Sequence, residues 1–104
     1  MLTWENDLAK ILRLRGLKIK FRSLDHYCEY GSILENVISI DLATHRPPAK
    51  TFIHECLHYI YDKDANGKDY PHAEVYEREK AIWDHITNKQ IAQVYRKMFR
   101  MMAP

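Results

Sequence analysis

At 104 residues the chain is long enough for a single domain, 1–104, with a modest core. Hydrophobic residues make up 46% and charged residues 29%, and only three glycines and four prolines are present, which excludes a low-complexity or disordered chain. A formal net charge of +2 gives no nucleic-acid footprint of its own, and the apolar runs are far too short to span a bilayer, so neither a nucleic-acid nor a membrane partner is expected.

The amino terminus, Met1-Leu2-Thr3-Trp4-Glu5, has no basic segment followed by a long apolar one, so no signal peptide is read there and a cytoplasmic location is expected. The first helix is expected from a Thr3 cap, with Asn6 and Asp7 suiting its electropositive first turn. Trp4, Leu8, Ile11, Leu12 and Arg15 share one side of it, and Gly16 is a natural stop. Leu17 to Leu24 alternates apolar and polar residues, which predicts a half-buried strand. A second strand is expected over Tyr27 to Ile33, a tight turn near Leu34-Glu35-Asn36, and a third strand over Val37 to Leu42. Thr44 to Pro48 reads as a loop. Ala49 to Tyr61 has no Gly or Pro and reads as a helix, with Pro47 and Pro48 suited to its first turn. A polar loop over Asp62 to Tyr70 contains Asn66-Gly67. A third helix is expected from near Pro71 to about Ile86 and a fourth from Asn88 to Met102. The pattern is α+β: an N-terminal helix, a short three-stranded sheet, then three helices. Cys28 and Cys56 are expected to be reduced thiols, each acting as a small buried hydrophobe.

The central helix carries the run His54-Glu55-Cys56-Leu57-His58, which reads H-E-x-x-H. Two histidines four apart lie one turn apart on one helix face and can hold one zinc ion from the same side. A glutamate between them sits beside the open coordination position, where it can act as general base on a zinc-bound water. Phe52, Ile53, Cys56, Leu57 and Ile60 form an apolar face, and His54, His58 and Tyr61 form a stripe at its edge. The bland reading is a buried helix whose two histidines are satisfied by hydrogen bonds.

Catalytic zinc takes three protein ligands, so a third must come from elsewhere. The third helix offers His72, Glu74, Glu77 and Glu79. Glu79 falls between Val75 and Ile82 on the inner face, where a lone carboxylate is costly, and is the first choice. Glu74, near the helix start, is the alternative third ligand. Glu77 points away from the apolar stripe. His85, Tyr70 and Tyr95 are candidate donors to a developing oxyanion.

With Glu79 downstream of the motif, the segments Thr51 to Tyr59 and Glu74 to Trp83 resemble those of gluzincin metallopeptidases. The small size and order of elements resemble the minigluzincins in particular. That resemblance implies a small zincin-like domain that hydrolyses peptides or unfolded proteins, with Zn2+ on His54, His58 and Glu79 and with Glu55 as base. It also implies a strand meander whose second or third strand pairs with extended substrate. Some minigluzincins are zymogens, so the segment Met98 to Pro104 is a candidate autoinhibitory tail; the favoured reading of Met98, Met101 and Met102 is a core or a homodimer face. A rival resemblance is to SprT-like proteases, which act on proteins bound to DNA and use a later histidine, here His72, as third ligand. A metal-binding module without proteolytic activity is the remaining alternative.

Overall fold

The computed structural model describes residues 3–21, 31–34, 36–61 and 72–102. Helix α1 spans Thr3–Arg13, with Leu8 and Ile11 facing the core. Gly16 follows at φ 80, a left-handed conformation that costs glycine nothing and turns the chain into the sheet. Strand β1 covers Lys18–Phe21, β2 covers Gly31–Leu34 and β3 covers Val37–Ile40. Asn36 sits at φ 66 in the β2–β3 turn, where Asn is one of the few non-glycine residues that tolerates that region.

β3 pairs antiparallel with β2, Ser32 opposite Ser39, and parallel with β1, Ile19 opposite Ile38, in the order β1-β3-β2. This corrects the expected meander. The short turn ties β2 to β3, but β1 joins the far side of β3 rather than β2. The outcome also excludes β3 as a substrate-pairing edge, because both of its sides are occupied. Among the described residues β2 pairs only with β3.

Helix α2 spans Pro48–Tyr61 and packs against α1, β2 and β3 as well as α3, His72–His85, and α4, Asn88–Met101. Pro48 occupies the first helical position, and Lys50 and Thr51 donate their backbone N–H groups to the Pro47 carbonyl at 3.0 and 3.2 Å. Every residue from Thr51 to Leu57 is buried, so α2 is the central element of the core rather than a surface helix with one dry stripe. α4 opens with a capping box. Gln90 N donates to Thr87 Oγ1 at 3.1 Å, and Thr87 N donates to Gln90 Oε1 at 2.9 Å.

Asp7 does not complement the helix dipole at the surface. It is 1% exposed and accepts from Tyr61 Oη at 2.7 Å and from Arg78 Nη1 at 2.9 and 3.2 Å. The Arg78 guanidinium also lies 4.2 Å from the centre of the Tyr61 ring. One buried carboxylate thus clamps α1 to the end of α2 and the middle of α3. Met98 and Met101, two residues of the proposed autoinhibitory tail, are core side chains. Phe99, Arg100 and Met102 of the same segment are exposed, and residues 103–104 lie outside the described set. No helix among the described residues is long and apolar enough to cross a membrane.

Candidate metal centre

The i, i+4 spacing on a rigid, buried helix brings the two imidazoles together. His54 Nε2 and His58 Nε2 stand 3.1 Å apart, with ring planes at 78°. Two nitrogens each about 2.0–2.1 Å from one tetrahedral zinc stand roughly 3.3 Å apart. The observed 3.1 Å is close to that separation. The same distance lets one imidazole donate its Nε2–H to the other, a proton that must leave before a metal binds.

Glu55 joins this pair. One ligand atom from each of His54, Glu55 and His58 lies within 4.8 Å of the others. Glu55 is 4% exposed and His54 is 8% exposed, whereas His58 lies nearer the surface, so the site opens from the His58 end. The Tyr76 ring, 4.6 Å from the His54 ring at 45°, covers the other histidine from α3.

Glu79 is 3% exposed and shares its face of α3 with the buried Val75 and Ile82, as its spacing predicts. Its Oε1 lies 2.8 Å from His54 Nδ1, on the opposite side of that ring from the nitrogen that meets His58. The same oxygen accepts from Arg46 Nη2. Arg46 is the site residue that sequence reasoning missed. It stands 33 positions from Glu79, and nothing local marks it. Its position comes from the loop before α2. Asp41 Oδ1 accepts from Ala43 N at 2.8 Å, the Thr44 hydroxyl donates to the Asp41 carbonyl at 3.4 Å, and Arg46 N donates to Thr44 Oγ1 at 3.3 Å. The cost of burying the Glu79 carboxylate is thereby offset within the protein.

The remaining candidates lie elsewhere. Glu74 and Glu77 are exposed. His72 opens α3, but its side chain falls outside the described residues, as does Tyr70. His85 is taken up far along α3, stacked on Trp4 at 5.5 Å with Nδ1 2.8 Å from the Ala81 carbonyl. Tyr95 packs against the core from α4. Tyr61, expected in the stripe with the histidines, has its hydroxyl on Asp7.

Cys56 faces the opposite side of α2, fully buried. Burial, followed by the nearby Glu55 charge, pushes its thiol well above the usual range, and Lys97 only partly offsets this. Native protein at pH 8 should therefore leave Cys56 unmodified by iodoacetamide, and full modification should appear only in denaturant. Peptide mapping separates it from Cys28, which lies outside the described residues. Rapid labelling in the folded state would show that α2 is not packed on that side.

Searches with the chain against protein families, curated proteins and solved structures find no match in any of the three.

Proposed function

We propose that the protein is a zinc-dependent peptidase of the H-E-x-x-H type, with His54 and His58 as metal ligands, Glu79 as the third protein group of the site and Glu55 as general base. The observation that carries this reading is the 3.1 Å approach of the two Nε2 atoms beside a buried glutamate. When bound, zinc lowers the pKa of a water to about 7 and polarises a carbonyl. Glu55 takes a proton on its carboxylate and returns it to the departing amine. Strand β2, which among the described residues pairs only with β3 and packs beside α2, suits an extended peptide paired main chain to main chain. This favours unfolded protein as substrate.

Glu79 can serve in two ways, and one variant distinguishes them. As a ligand it must turn from Arg46 toward the metal. As an outer partner it holds the Nδ1 side of His54. Glu79→Gln should lower zinc affinity by far more than the roughly ten- to hundredfold typical of an outer carboxylate if it is a ligand, and within that range if it is not. Arg46→Met should tighten zinc binding in the first case, because the competing cation is gone. An unchanged affinity places Glu79 outside the ligand set.

The reading as a peptidase is tested by incubating zinc-loaded protein with a reduced, unfolded protein and following fragments by mass spectrometry. Cleavage abolished by chelation and restored by zinc is the expected result. Stoichiometric zinc with no cleavage of any unfolded substrate would leave a metal-binding module in its place.

A further inference from the structure

The small net charge conceals a strong segregation. Residues 8–20 carry Lys10, Arg13, Arg15, Lys18 and Lys20 and no acidic residue. Residues 85–104 carry Lys89, Arg96, Lys97 and Arg100 and again none. The fold brings the two segments together. A groove of about 800 Å³ runs between the end of α1, the turn into β1 and the end of α4, lined by Arg13, Arg15, Lys97 and Arg100. A second groove of about 280 Å³ continues it past Arg96, sharing Lys97 and Arg100 with the first.

Cations at helix C-termini ordinarily complement the macrodipole, and both helices end here. Each end supplies about half a negative charge, so roughly one unit faces five cations. No carboxylate among the described residues pairs with any of the five. Lys97 gives its ammonium to the Leu14 carbonyl and is still pulled below its ordinary pKa by burial and by the nearby Arg15 and Arg100. Folding has gathered like charges at a cost that an anionic partner would relieve.

From this groove we infer a second site, distinct from the metal centre, that binds the phosphodiester backbone of single-stranded nucleic acid. Four of the five cations are arginines, whose planar forks match phosphate oxygens. Phe99, 69% exposed, stands on α4 between Met98 and Arg100 in sequence and one turn from Arg96. Phe99 lines neither groove, but Arg96 lines the second, so the ring offers a platform at the margin of the cationic track on which a base can stack. The site does not depend on the peptidase reading.

Fluorescence anisotropy with a labelled oligothymidylate tests it, with a polyglutamate peptide of equal charge as competitor. Neutralising about four phosphates of a single strand predicts a loss of affinity of roughly fiftyfold between 50 and 200 mM salt. The variant Arg15→Gln/Arg96→Gln/Arg100→Gln, all at exposed positions, should lose at least tenfold at low salt with an unchanged circular dichroism spectrum. Phe99→Ala should lose roughly fivefold or more for the single strand. Failure of the wild-type chain to bind at 50 mM salt would overturn the inference. So would polyglutamate binding as tightly as the oligonucleotide, which would make the groove a dock for an acidic protein segment.

Discussion

Glu55→Gln is expected to bind zinc as the wild type does and to lose roughly a hundred- to ten-thousandfold of its peptide hydrolysis. The substitution keeps the side chain's volume, which matters because Glu55 is 4% exposed and sits in a packed helix. It removes the group that accepts a proton while leaving both imidazoles in place. Zinc content and cleavage rate must therefore separate. Wild-type activity in this variant would remove Glu55 from the mechanism. Loss of zinc in it would make Glu55 a ligand, which its closeness to both histidines permits geometrically. The role of base rests on its place between them in the helix.

Arg78→Met should be the most destabilising exchange of a polar side chain distant from the metal. It leaves the Asp7 carboxylate 1% exposed with only the Tyr61 hydroxyl to satisfy it. Breaking one side of a buried ion pair costs about 3–5 kcal/mol, and the lower end applies because the Arg78 side chain is 27% exposed. For a domain of this size about 3 kcal/mol corresponds to a fall in Tm of roughly 12–20 °C. Adding Asp7→Leu should recover most of the loss, since an apolar pair of similar volume avoids the uncompensated charge. Urea denaturation of the two variants measures both effects. A cost under about 1 kcal/mol for Arg78→Met would mean that water reaches Asp7. The pair also bears on the site. With Tyr61 it ties α1 to both α2 and α3, the helices that carry His54 and Glu79.

The local parts of this arrangement were legible in the sequence. The i, i+4 spacing put His54 and His58 on one face. The interval from Val75 through Glu79 to Ile82 put that carboxylate inside. The segment Thr87-Asn88-Lys89-Gln90 contained its capping box in plain view, although only the helix start was read from it. What escaped was non-local. Strand order depends on which edge of β3 receives β1, and alternation within Leu17 to Leu24 carries no information about that. Asp7 had the appearance of a first-turn acid because that is the usual reason for an acid there. Its partners Tyr61 and Arg78 come from distant helices. Arg46 was invisible for the same reason, and with it the internal counter-ion of Glu79. The expectation that a buried Glu79 needs a metal to offset its burial was therefore too narrow, since Arg46 also does so.

The most direct test of the metal centre is the zinc content of the purified chain after extensive dialysis, by elemental analysis, set beside His54→Ala and His58→Ala. One zinc per wild-type chain, with well under one in each histidine variant, is the predicted result. A wild-type chain that holds no zinc and takes up none when it is supplied would contradict the account. The 3.1 Å pair of imidazoles would then be no more than two core histidines hydrogen-bonded to each other.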